Sequence, residues 1–122
     1  MKFYVCKHCG KVITILNNVN VPTICCGAPM EELKANTVDA AVEKHVPFVT
    51  TVGGEIIIKV GEEKHPMTKE HYISFVAIET NQGMFIHNFN PEDEPEVKVT
   101  DEVKILNVYA YCNIHGLWKK EL

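Results

Sequence analysis

Four of the chain's five cysteines fall within its first 26 residues, as CKHCG at 6–10 and CCG at 25–27. The segment that carries them, residues 1–35, has almost nothing else from which to build a core. VITIL (12–16) reads as a short strand, and NNVN and Pro22 read as turns. Units below roughly 40 residues seldom fold without a disulfide, a metal or a partner. A C-x-x-C knuckle closed by glycine lets the thiolates of Cys6 and Cys9 converge on one ion, with backbone N–H groups free to bond the sulfurs. Cys25 and Cys26 complete four thiolates, a set suited to tetrahedral Zn2+ or a single iron. A metal-stapled unit is therefore expected. The adjacent pair Cys25-Cys26 stands where an ordinary zinc ribbon repeats its C-x-x-C, and it should distort the tetrahedron. His8, between two ligands, reads as a solvent-facing spacer.

Beyond LKANTVDAA the pattern changes to strand after strand. HVPFVTTV (45–52) meets EIIIKV (55–60) across Gly53-Gly54, a two-residue hairpin signal, and HYISFVAIE (71–79) meets MFIHNF (84–89) through TNQG. EVKV (96–99), VKILNVYAY (103–111) and GLWKK (116–120) follow, after the acidic loop NPEDEPE. No stretch keeps a helical period over three turns. Short strands at this spacing predict, for residues 36–122, an antiparallel β-sandwich of immunoglobulin-like size, in an all-β chain. Alternation along 103–111 puts Leu106, Val108 and Ala110 on one face and carries Cys112 onto it.

Composition narrows the function. The net charge is −4, with 12 lysines and no arginine, which argues against a nucleic-acid partner. No run approaches the ~20 apolar residues of a membrane span. The start, MKFYVCKHCG, has no apolar signal-peptide core. Clustered thiols without a secretion signal point to a reducing compartment, the cytoplasm, where they hold metal more often than they form disulfides.

A second set of candidate ligands is scattered: EKHVP at 43–47, KHPM at 64–67, EHY at 70–72 and CNIHG at 112–116. His87, in FIHNF, reads as an ordinary strand residue. Histidines at strand edges and in loops, together with a C-x-x-H, make a metal site of thiolate and imidazoles, open to iron, copper or zinc. A Cys-His protease would need an orienting residue and an oxyanion hole, and nothing points to either. The rival is a cupredoxin-like copper or iron electron-transfer protein, also a β-sandwich with Cys and His close together near its end. Such sites add a weak axial methionine soon after that histidine. GLWKKEL follows His115 and has none, and copper would leave two of the four histidines unused.

Taken in order and spacing, these motifs resemble the desulfoferrodoxin-type superoxide reductases, the class with two iron centres, over essentially the whole chain. CKHCG and CCG resemble the desulforedoxin-like domain, with a rubredoxin-type iron in Cys6, Cys9, Cys25 and Cys26, a set that also accepts zinc. The resemblance implies that His45, His65, His71 and His115 bind the second iron in one plane, with Cys112 as an axial thiolate. It implies that Glu43 closes the remaining position in the resting ferric form and that Lys44 attracts superoxide and helps deliver protons. The activity implied is reduction of superoxide to hydrogen peroxide, with rubredoxin or a similar protein as electron donor and a homodimer as the usual assembly. The ligand set suits that chemistry. Neutral imidazoles and one thiolate leave Fe(II) with a single net positive charge, able to accept an anion. The thiolate pushes electron density to the position opposite it, as in haem thiolates. Lys64 and Lys69 also flank the histidines, either steering the anion or simply solvated beside loops.

Overall fold

The computed structural model describes residues 1–38 and 40–122, and divides into two compact units, Met1–Lys34 and Ala35–Leu122. The first is built from very short strands: β1 (Phe3–Val5), β2 (Val12–Thr14), β3 (Ile24–Cys25), β4 (Ala28–Pro29) and β5 (Glu31–Glu32). β1 lies between β2 and β5, and β3 pairs with β4 as a separate ribbon. Its buried apolar residues among those described are Phe3, Val5 and Cys6, too few to hold it without a staple.

The second unit stacks two antiparallel sheets. One has the order β10-β7-β6, from β6 (Pro47–Val52), β7 (Glu55–Val60) and β10 (Glu96–Thr100). The other has the order β12-β11-β8-β9, from β8 (Ile73–Thr80), β9 (Gly83–Asn88), β11 (Ile105–Cys112) and β12 (Gly116–Glu121). The β6–β7 hairpin turns on Gly53-Gly54 with φ of +57° and +84°, the signs a type I′ turn needs. Ile58, Val60, Ile73, Val76, Ile78, Val108 and Ala110 fill the space between the sheets. The architecture is the all-β sandwich that the sequence predicts.

Two local expectations are corrected. The strand read from His45 starts later, at Pro47: Val42–His45 form one turn of helix, α1, which stops at Val46 because the residue before Pro47 is forced extended (φ −70°, ψ 126°). Nor does Leu106 share the core face. A register shift between Ile105 and Asn107 flips the alternation, so that Ile105 is buried and Leu106 is 37% exposed, while Val108, Ala110 and Cys112 keep the inward face. Among the described residues, no helix is long and apolar enough to cross a membrane.

Candidate metal centres

The four N-terminal cysteines converge: one sulfur from each lies within 4.8 Å of the others. The knuckle forms because Cys9 N–H donates to Cys6 Sγ at 3.4 Å and Gly10 N–H donates to Cys6 O at 2.8 Å, with Gly10 at φ +82°. The adjacent pair is accommodated by a turn. Cys25 pairs with Ala28, and the two residues between, Cys26 and Gly27, take φ of +52° and +77°. Cys26 thus occupies the first centre of a type I′ hairpin turn, which swings its sulfur beside that of Cys25. The Cys9–Cys25 and Cys25–Cys26 sulfur separations are 3.7 and 4.0 Å. A tetrahedron with bonds of ~2.3 Å has edges of roughly 3.8 Å. The donor set fits a tetrahedral thiolate-bound ion. Backbone N–H bonds, chiefly from Cys9, hold Cys6 down at about 6, whereas contacts with the other sulfurs push Cys25 up to about 12 and Cys26 upward. The Cys6 thiolate forms readily, and those of Cys25 and Cys26 need a cation beside them.

The second set, His45, His65, His71, Cys112 and His115, is likewise gathered with one donor atom each within 4.8 Å. His45 ends α1, His65 and His71 lie in the β7–β8 connection, Cys112 ends β11, and His115 sits in the turn to β12. Neighbouring rings are near perpendicular: His45–His65 at 4.6 Å and 78°, His65–His71 at 4.8 Å and 84°, His71–His115 at 5.0 Å and 78°, and His115–His45 at 4.9 Å and 84°. The imidazoles form a closed square of four.

The nitrogens inside that square need a cation. His45 Nδ1 lies 2.6 Å from Ala41 O and His65 Nδ1 2.6 Å from Pro66 O, so both Nδ1 atoms carry the proton and both Nε2 atoms present a bare lone pair. Those lone pairs face each other at 3.1 Å, and His45 Nε2 is 3.0 Å from His115 Nδ1. Neither imidazole can donate without losing its carbonyl bond. Burial holds His65 at about 4 and lowers His45 and His71, so all three stay neutral, the form that ligates. His71 Nε2 is buried without a hydrogen-bond partner. The two nitrogen–nitrogen edges that meet at His45 are 3.0 and 3.1 Å, and a square of that edge would have its centre about 2.2 Å from each corner (edge divided by √2), close to a metal–imidazole bond of ~2.0–2.1 Å.

The fifth donor, Cys112, is wholly buried, with Sγ 3.9 Å from His115 Nδ1. Burial pushes its thiol up, against the pull of the His115 and Ile114 N–H groups. Trp118, which no sequence motif marks, stacks on His45 at 4.8 Å and donates its indole N–H to His115 O at 3.2 Å. Glu43 is exposed and Lys44 half-buried on α1. After burial, the Ala41 bond and His115, both charges act on His45, Lys44 lowering its pKa and Glu43 raising it. Gly61 holds their backbone: Glu63 N–H donates to Glu43 O at 2.8 Å, and a Cβ on Gly61 would lie 2.7 Å from Lys44 C. Lys64 pairs with Glu94 at 3.4 Å, and Lys69 is exposed. His8 and His87 stand outside both sets, His87 against Phe89.

Residues 37–121 match the desulfoferrodoxin family. The chain belongs to that family. A desulfoferrodoxin of Syntrophotalea carbinolica is 39% identical over 121 residues, 99% of this chain and 96% of its own. Among solved structures, the superoxide reductase from Treponema pallidum superposes with a TM-score of 0.78 at 31% identity, covering 98% of both chains. The one-iron superoxide reductase from Giardia intestinalis is also 31% identical, but it covers 66% of this chain and 99% of its own, with a TM-score of 0.51. The family match agrees with a site that uses all four histidines, where a cupredoxin would leave two idle.

Proposed function

We infer that the chain is a superoxide reductase with two iron centres, one in the four cysteines and a catalytic one in the four histidines and Cys112. The observation that carries this reading is the cluster of four imidazoles and one buried thiol, with the bare lone pairs of His45 and His65 3.1 Å apart. Iron bound there supplies the single electron that converts superoxide, with two protons, into hydrogen peroxide. No oxygen is formed, so an external donor must restore the electron.

The protein's own groups do the rest. The carbonyls of Ala41 and Pro66 fix which nitrogen of His45 and His65 faces the centre, and burial keeps the rings uncharged. Cys112, deep in the core, gives up its proton only to a cation, so apo protein keeps a neutral thiol there. His71 and His115 are half-buried, which leaves a small anion a way in. Lys44 draws that anion by its charge and offers a proton source at the surface, while Glu43 closes the site between turnovers; the support is that both charges reach His45. Rubredoxin or a similar small protein is the donor, the cytoplasm the compartment and a homodimer the assembly. Free thiols at all five cysteines support a reducing compartment, and the exposed Met84, Phe85 and Ile86 on edge strand β9 support association.

Stopped-flow mixing of the anaerobically reduced protein with superoxide tests the activity. One peroxide per superoxide consumed, with no oxygen evolved and two separate thiolate-to-iron(III) bands in the oxidised protein, is the expected result. Oxygen evolution, or one copper per chain, overturns it.

A further inference from the structure

Asn113 stands between two of the donors, Cys112 and His115, yet its side chain serves a third. Its Nδ2–H donates to Glu70 O at 2.9 Å, and its Oδ1 accepts Tyr72 N–H at 2.9 Å, so one planar amide spans the backbone on either side of His71. Asn113 N–H adds a bond to Tyr72 O at 3.2 Å. The amide cannot be reversed, because that would set its donor against Tyr72 N–H and its acceptor against Glu70 O. From the other side, Thr68 Oγ1 accepts His71 N–H at 3.1 Å, and Thr68 N–H donates to His71 O at 2.9 Å.

This clamp does for His71 what carbonyls do for its neighbours. His45 and His65 are tied through Nδ1 to Ala41 O and Pro66 O, whereas His71 has its inward Nε2 buried and unpartnered. Its direction is set through the main chain. A donor held by a loop that is already ordered binds without the cost of ordering it.

We propose that Asn113 is the positioning residue for His71: its amide locks residues 70–72 against the Cys112–His115 turn and so holds the His71 imidazole in the donor square. The proposal rests on reading that square as an iron centre. It couples the β7–β8 connection and the Cys112–His115 turn, which together carry four of the five donors.

The test is iron retention by the full-length protein against a graded chelator. Retention is read from the thiolate-to-iron(III) band of the histidine centre, with the four-cysteine band as internal control. Asn113→Ala should weaken iron binding there by about 10- to 100-fold, the usual effect of losing a ligand's supporting partner. In a His71→Ala background the same substitution should change retention by less than about twofold, since its effect passes through His71. Asn113→Asp keeps the acceptor for Tyr72 N–H but sets an anion against Glu70 O, and should lie between; it answers the same question if Asn113→Ala does not fold. Equal losses in both backgrounds, or no loss beside an intact His71, overturn the role of Asn113. Wild-type protein that takes up no iron at this centre overturns the reading of the centre and the proposal with it.

Discussion

The chain uses one turn twice. In CKHCG, Cys9 N–H donates to Cys6 Sγ at 3.4 Å and Gly10 follows at φ +82°; in CNIHG, His115 N–H donates to Cys112 Sγ at 3.4 Å and Gly116 follows at φ +79°. The local device is the same, a sulfur-capped turn closed by a left-handed glycine. The surroundings are opposite. The first turn belongs to a unit with three buried apolar residues among those described, and its backbone N–H groups hold Cys6 at about 6. The second ends a core strand of an eleven-residue cluster, and burial pushes Cys112 the other way. One turn depends on its metal to have a fold around it. The other has a fold that imposes its donors on the metal.

Metal removal should break this symmetry most sharply. Binding at a small structural site is also folding free energy, on the order of 10 kcal/mol. Cys9→Ser, or stripping the four-cysteine ion, should therefore release residues 1–34 into rapid amide exchange while the sandwich keeps its protection and its reaction with superoxide. Loss of superoxide reduction in a Cys9→Ser protein that retains its second iron would tie the centres together functionally. Cys112→Ser is the counterpart. The buried hydroxyl costs about 1–3 kcal/mol of the sandwich's stability and the fold survives, but the thiolate-to-iron band and peroxide release should disappear. If chelation unfolds this variant as it unfolds the N-terminal unit, the contrast between the two regions is wrong.

The sandwich is legible in the sequence because strand alternation is a local pattern. Cys6, Cys9, Cys112 and His115 stand out by C-x-x-C and C-x-x-H spacing, whereas His45, His65 and His71 carry no such spacing and enter as ligands through the family resemblance. What stays hidden acts across the chain or through the backbone. Nothing in the sequence marks Trp118 as the plate behind His45, or Ala41 O and Pro66 O as the groups that choose the tautomers of His45 and His65. The one-residue shift that exposes Leu106 comes from pairing with β8, so a period-two pattern alone misses it. Cys26 reads as an irregular ligand because its left-handed φ of +52°, in place of the usual Asn of a type I′ turn, has no sequence signal.

Gly61 offers a smaller test on the sandwich side. Its missing Cβ makes room for the main chain of Glu43 and Lys44, which cannot step aside as a flexible side chain could. Gly61→Ala should cost about 1–3 kcal/mol as overpacking, read in a denaturant melt of the sandwich. It should also alter the superoxide reaction, since the 43–44 peptide must move. Unchanged stability and rate would mean that this strand end yields easily, and that the sandwich is less rigid a template than the contrast requires.

The smallest effect expected belongs to Lys44, which separates steering from assembly. It neighbours His45 on one turn of helix, so the two side chains do not share a direction, yet its charge reaches the His45 ring. Lys64 is already engaged with Glu94, and neither Lys64 nor Lys69 figures in what perturbs the imidazoles. A unit charge about 5 Å from an incoming anion, at an effective dielectric of roughly 20, is worth on the order of 3 kcal/mol. Exposure and salt reduce that to ~1 kcal/mol, or about fivefold in an association-limited rate. Lys44→Ala should slow the second-order reaction with superoxide by about that factor and flatten its dependence on ionic strength. Both metals and both spectra should stay as they are, because no donor and no part of the core changes. Pulse-radiolysis rates across a salt series decide it. An unaltered rate and slope would shift attraction of the anion to Lys64 or Lys69, or show that the square of donors needs no lysine to find its substrate.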